Sequence, residues 1–368
     1  MAIKLPNNVE KFAAGNNKFY EAFVDYFNHY RSQNGTKGLT FTADKSFAEK
    51  ESLIDVAFRK EIARFSGVPN AHELSPTAMA SHPVITWATF EIVNQLVDAI
   101  LPNAITDSIG LYTDVRTIGF GDSASFDIEP RDLFVVSKAG RGMRSGEIHR
   151  QYKGQVNVLP ENHELTVGVS LYRVLSGAES LARFAAKAVM SMEAAMTRDA
   201  YVAFATAMAA LDNSGDDALR ISGWNDATFT ALAQKVAAWN GGIKPVLMGT
   251  SVALVNVLPT TDVNYRYDLN SEYVKMGHIP QFRGYDVMEI PQVADWGTEF
   301  KTLIDDTKLW LVSPTAGKLV KLVLEGATLS NTDGAFDNAN LMQNTTLMKS
   351  WGTGIATSAL AGTIELSS

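Results

Sequence analysis

The chain has 368 residues, 46% of them hydrophobic, and carries 32 Lys plus Arg against 40 Asp plus Glu, a formal charge of −8. That apolar share is enough for one large or two moderate cores and excludes a disordered composition, while the acidic balance excludes a nucleic-acid binder with one broad basic face. The absence of cysteine excludes disulfides, thiolate metal sites and cysteine nucleophiles together.

The first residues, MAIKLPNNVEKFAAG, hold no apolar stretch long enough for a signal peptide. No run of about 18 uninterrupted apolar residues marks a membrane span, so the expectation is a chain folded in the cytosol with no membrane partner. From Val9 to Tyr30 the aromatics Phe12, Phe19, Tyr20, Phe23, Tyr26, Phe27 and Tyr30 fall near helical spacing and make one sticky face. Such a face either packs on its own core or belongs to an arm. In the second case Phe12, Phe19, Tyr20, Phe23 and Phe27 would dock on another subunit, because an uncovered apolar patch of that size is unfavourable. A second helix is marked by the capping-box spacing of Ser46 and Glu49, by Ile54, Ala57, Phe58, Ile62 and Phe65 on one side, and by Gly67 as its stop. The pattern predicts a third helix from about Val84 to Ile100, ended by Leu101-Pro102.

The period then changes from helical to alternating. Phe126 and Ile128 alternate with polar neighbours, Leu133 to Val136 form a short apolar run, Val156 and Val158 alternate again, and ELTVGVSL extends the signal to Leu171. The reading is one long hairpin whose tip is SKAGRGMRSGEIHRQYKG, residues 137–154, with four glycines and five basic residues against one Glu. Next comes the strongest helix, Ala178 to about Leu211, which at about 1.5 Å per residue would span on the order of 50 Å. A helix from Asn225 to Trp239, a strand-turn-helix in KPVLMGTSVALVNVLP and a strand in GYDVMEIP predict a mixed α/β unit. Strand signals return in KLWLVS, GKLVKLVLEG and the closing WGTGIATSALAGTIELSS, with NTDGAFDNAN as an exposed loop.

Chemistry-bearing motifs are weak. Gly249-Thr250-Ser251-Val252-Ala253 sits between strand and helix as a hydrolase elbow would, with Asp262, Asp268 and His278 following in the required order. Its fifth position is Ala, however, and the preceding helices and hairpin do not supply the parallel strands that fold needs. The six histidines never share the i, i+4 spacing of a helix-borne metal site. Gly119-Phe120-Gly121 and Gly140-Arg141-Gly142 read as hairpin glycines rather than phosphate loops. No catalytic, cofactor or metal assignment follows.

Taken together, a helical arm, a long hairpin with a bare charged tip, a very long helix, a mixed α/β unit and returning strands resemble the major capsid proteins of tailed bacteriophages, the Hong Kong 97-type fold. HIPQFRGYDVMEIPQVADW and MKSWGTGIATSALAGTIEL look like that family's axial-domain pattern and closing segment. The resemblance implies an α+β chain divided into an N-terminal helical arm and lead-in (1–118), an extended β-hairpin loop (119–172) and the spine helix of a peripheral domain (173–222). An α/β axial domain (223–315) and returning strands (316–368) complete it. It implies a non-enzymatic shell subunit, assembled in the host bacterial cytoplasm into hexamers and pentamers of a virion, with a scaffolding protein, a portal and DNA held without sequence-specific contact. Lys138, Arg141, Arg144, Arg150 and Lys153 would meet carboxylates on the adjacent subunit. Some family members cross-link this loop through a lysine and an asparagine; Lys138 and Lys153 are available, but no spacing identifies a partner, so non-covalent joining is expected. The alternatives are a hydrolase using Ser251 and an encapsulin-like compartment shell.

Overall fold

The computed structural model describes residues 17–34, 39–68, 82–110, 113–128, 153–169, 173, 179–212, 219–258, 277–290, 292, 294, 301–313, 317–332, 343–356 and 359–366. The N-terminal part forms helices α1 (Asn17–Gln33) and α2 (Phe47–Ser66). At the start of α2 the Ser46 side chain accepts from the Glu49 backbone while the Glu49 carboxylate accepts from Ser46, and Gly67 closes the helix in the left-handed region at φ 63°. The aromatic face of α1 packs inward. Phe19, Phe23 and Phe27 are 7%, 0% and 1% exposed, and the ring of Phe58 on α2 meets Phe19 and Phe23 edge-on at 5.1 and 5.8 Å. The sequence reading docks these three residues on another subunit; the structure covers them within the chain, with α2 and the helices beneath it. Tyr20 is half-buried and its hydroxyl donates to the carbonyl of Ala99 at 3.4 Å; Phe12 lies outside the described residues.

Helix α3 (Pro83–Ile109) runs for 27 residues and passes through Pro102, where the sequence pattern predicts an end. A proline in a helix interior removes one backbone hydrogen bond and costs about 3 kcal/mol. Burial of Leu101 before it and of Ala104 and Ile105 beyond it outweighs that loss, and the Thr106 hydroxyl donates to the carbonyl of Pro102 at 2.8 Å. Pro83–Thr106 is also long and apolar enough to cross a membrane, although Glu91, Asn94, Gln95 and Asp98 interrupt it, and 78% of its apolar window is buried, as in the core helix of a layered fold. Helix α4 (Leu181–Asp212), 32 residues and about 48 Å long, lies beside α3 in the same core.

Among the described residues there are twelve strands: β1 (Thr113–Ile118), β2 (Ala124–Ile128), β3 (Gly154–Val158), β4 (Glu161–Val169), β5 (Arg220–Ser222), β6 (Val246–Gly249), β7 (Gln281–Phe282), β8 (Tyr285–Glu289), β9 (Lys308–Val312), β10 (Val320–Thr332), β11 (Gln343–Ile355) and β12 (Gly362–Glu365). Four of them form a sheet in the order β1-β10-β11-β4 against α3 and α4. Six form a second sheet, β5-β12-β9-β6-β8-β7, whose core includes Phe229, Leu232 and Val236 of helix α5 (Asp226–Trp239) and Leu254 of the short helix α6 (Ser251–Leu254). At its edge, Arg283 and Gly284 both have positive φ, 49° and 80°, in the two-residue turn joining β7 to β8. The Arg283 guanidinium is held at 3.1 Å by buried Asp226, a specific partner for a non-glycine residue in that region. The remaining pair, β2 and β3, makes a sheet of its own. β4 is therefore not part of the hairpin, as its alternation suggested, but pairs with β11 from Glu161↔Trp351 to Val169↔Gln343.

Charged groups buried between the layers fix how they meet. Asp98 on α3 is ion-paired to Lys349 on β11 at 2.7 Å, with side chains 2% and 5% exposed. Asp98 also accepts from the backbone N–H of Thr328 at 2.8 Å and from its hydroxyl, while Lys349 donates to the carbonyl of Gly326 at 2.7 Å. These groups lie where the β10–β11 register shifts between Glu325 and Leu329, so the ion pair satisfies backbone polar groups at the irregularity. Arg31 on α1 meets Glu193 on α4 at 2.6 Å, also buried. Asp55 on α2 accepts from the N–H of Ala182 at 2.9 Å and from the Ser180 hydroxyl at 3.2 Å, capping α4 from a neighbouring helix. Burial pushes the Asp55 carboxyl above its usual range against these two hydrogen bonds.

Removing either Asp98 or Lys349 leaves an uncompensated buried charge, so Asp98→Ala and Lys349→Met should each lower unfolding stability by about 3–5 kcal/mol. The double variant should lose less than the sum; additive losses in a denaturant cycle would contradict the pairing. At α4, Asp55→Ala should cost about 1 kcal/mol through loss of the cap. Because the folded carboxyl titrates above its ordinary value of 3.8, its contribution is fully present below that pH and is lost as pH rises through the folded value. Asp55→Asn keeps an acceptor and does not titrate, so its stability relative to wild type should rise from acid to neutral pH. A flat difference would show that burial does not govern this carboxyl.

Candidate assembly site: the root of the hairpin

The alternation of β10 assigns its two faces to two partners. Val320, Leu322 and Leu324 are buried in the helical core, whereas Val323 lies in a separate small cluster with Ala124 and Phe126 of β2, Val158 of β3 and Ala356. Parallel pairing of β1 with β10 sets Asp114 beside Lys321, Arg116 beside Val323 and Ile118 beside Glu325, so all six share the hairpin face. On β11 the corresponding positions are Gly352, opposite Val323, and Gly354, opposite Lys321. A Cβ at Gly352 would run into the carbonyl of Leu159, and one at Gly354 would meet Val158 Cγ2 at 2.6 Å. The glycines of WGTGI therefore allow the hairpin root to cross directly over the sheet.

In the hairpin itself, Ala124 to Ile128 pair antiparallel with Val158 to Gly154. Phe126 is 1% exposed at its centre. The Arg116 guanidinium lies 4.1 Å and the Lys321 ammonium 5.5 Å from the centre of its ring, and Asp114 ion-pairs both cations at 3.3 and 3.6 Å. Burial holds the Lys321 ammonium below its usual range, opposed by Asp114. The N–H of Gly121, in the turn between β1 and β2, donates to Glu325 at 2.6 Å, and Arg116 donates to the carbonyl of Ser125 at 3.2 Å.

Of the basic residues expected to reach a neighbour, Lys153 pairs within the subunit, across its own hairpin, with Asp127 at 2.8 Å, both side chains more than half exposed, a geometry worth under about 1 kcal/mol. Lys138, Arg141, Arg144 and Arg150 lie outside the described residues. Thr250, not Ser251, is the engaged hydroxyl of the GTS turn: it donates to Asp306 at 2.6 Å and accepts from the N–H of Ala253 at 3.3 Å as the N-cap of α6. His278 faces Glu289 at 4.0 Å. That turn is a helix start and lends the hydrolase reading no support. Sequence reasoning missed Asp98, Lys349, Arg116 and Lys321, although a lone Asp in QLVDAIL and a Lys between Leu347 and Trp351 on the buried parity of β11 both signal a paired charge.

Residues 65–365 match the family model described as SPbeta prophage-derived putative capsid protein YonB. No curated protein matches the sequence. Among solved structures the chain is similar to the mature capsid of bacteriophage PhiM1, at 11% identity over 70% of this chain and 86% of that one, with a TM-score of 0.47. It is similar to the capsid of a native GTA particle at 11% identity over 72% and 91%, TM-score 0.47. A third likeness is the capsid of cyanophage P-SCSP1u, at 13% identity over 70% and 86%, TM-score 0.42. The family match takes in both sheets, α3, α4 and the hairpin, and the chain belongs to the YonB family of prophage-derived capsid proteins, as a major capsid protein that builds the shell of a virion.

Proposed function

We propose that this capsid protein assembles in the Hong Kong 97 manner, with β2–β3 as the root of an extended loop that lies over the adjacent subunit. The reading is carried by the separateness of β2–β3: the two strands pair with each other outside both large sheets, and the chain between them, residues 129–153, is 25 residues long. A loop projecting from a domain is free to make contacts its own domain does not supply. Lys138, Arg141, Arg144 and Arg150 dock on carboxylates of a neighbour that is itself acidic, with a formal charge of −8. Helix α4 is the spine of the peripheral domain, and the six-stranded unit with α5 is the axial domain around the five- and six-fold centres. Heterologous contacts of this kind close into a shell only where their rotation fits the symmetry. The shell encloses double-stranded DNA without sequence-specific contact, grows with a scaffolding protein and a portal, and is joined without covalent bonds.

Replacing Arg141, Arg144 and Arg150 with Glu should leave the subunit folded and abolish closed particles in electron micrographs. Normal shells from the triple variant would sink the charge-docking idea. Wild-type shells boiled in detergent should run as one monomer band on a denaturing gel, whereas a ladder of multiples would show covalent joining.

A further inference from the structure

We propose that Asp114, Arg116, Phe126 and Lys321 form a charge–aromatic clamp that sets the angle at which the hairpin leaves the body, and so act as positioning residues for assembly. The proposal rests on the reading of the hairpin as the inter-subunit loop.

Among the described residues, β2 and β3 form a sheet of their own, so side chains and isolated hydrogen bonds must fix their direction in place of a ladder to β10 or β11. Apolar contact through Ala124, Phe126, Val158, Val323 and Ala356 holds the root down but is non-directional. Direction comes from the polar part. Arg116 at 4.1 Å and Lys321 at 5.5 Å approach one ring, and cation–π attraction depends on the position of the cation over the ring face. Both cations belong to the body, on adjacent paired strands, and Asp114 ties them together at 3.3 and 3.6 Å. Arg116 also reaches the hairpin backbone at Ser125, one residue from the ring it covers. Swinging the hairpin about its root would slide Phe126 off two cations and break the Arg116 bond at once. A buried phenylalanine serving only as core needs neither cation, yet the sequence places two of them and their counter-ion on the one face that meets it. The partial desolvation of Lys321 strengthens its attraction to the ring.

The test uses the full chain, which has no native cysteine, with spin labels at Asn157→Cys on the hairpin and Thr206→Cys on α4, both exposed, diluted into unlabelled chain. Pulsed electron resonance should give one narrow distance peak. Phe126→Leu, which keeps an apolar side chain in the cluster, and Lys321→Met, which keeps the stem and removes the charge, should lose that single peak for a broad distribution. Lys321→Arg should retain it. Should Phe126→Leu fail to fold, Asp114→Asn, half-exposed and outside the apolar cluster, tests the same clamp through the loss of its shared anion. An unchanged peak in Lys321→Met and Asp114→Asn overturns the clamp. Shells of mixed diameter accompanying the broadening support both the clamp and the assembly role of the loop. Broadening with shells of uniform size supports the clamp and contradicts the loop's role, as would normal shells after deletion of residues 129–152.

Discussion

Strand β10 cannot slip. Its residues of one parity, Val320, Leu322 and Leu324, are committed to the helical core, and those of the other, Lys321, Val323 and Glu325, to the hairpin root. A shift of one residue would exchange the two sets, placing two charges in the helical core and three apolar side chains against the hairpin's polar partners. Because β1 and β11 take their register from β10, the same constraint decides which of their residues meet the hairpin, including the pair of glycines over which it crosses. The hairpin root is thus seated on a strand that is itself committed to the helical core.

The helical layer meets this sheet through one large apolar core, and a buried ion pair orients it there. An Asp98–Lys349 pair in the core contributes little net stability over a well-packed apolar pair, but it is directional, and it gives the polar groups at the β10 irregularity their partners. The same logic holds where α1 and α2 join the spine, through Arg31–Glu193 and the capping of α4 by Asp55. Helix α1 and most of α2 precede residue 65, where the family match begins, so this helical pair is attached by its own set of contacts to the matched region.

Much of this was legible in the sequence where the signal is local. Ser46, Glu49 and Gly67 announce both ends of α2, and Asn225 starts α5, because capping is a short-range contest for orphan backbone groups. What failed was decided at long range. The alternation of ELTVGVSL identifies a strand but not its partner, which lies nearly 200 residues later on β11. Pro102 ends a helix only if nothing buries the next turn, and α3 is buried on both sides of it. The aromatics of α1 have the periodicity of a sticky face whether the covering surface is a neighbour or, as found, α2 and the core of the same chain. The root of the hairpin was visible as alternating Phe126 and Val158; its clamp was not, since Asp114, Arg116 and Lys321 come together only through the parallel pairing of strands about 200 residues apart.

The claim on which the account stands is that the hairpin root is folded into the subunit before any neighbour arrives. Native-state hydrogen exchange on the unassembled subunit measures this directly at the amides of residues 124–128 and 154–158, with β10 as the internal standard. The account predicts protection at the root of the same order as at Val323. Exchange at the rate of an open peptide while β10 stays protected would show the root to be a free arm and would contradict it.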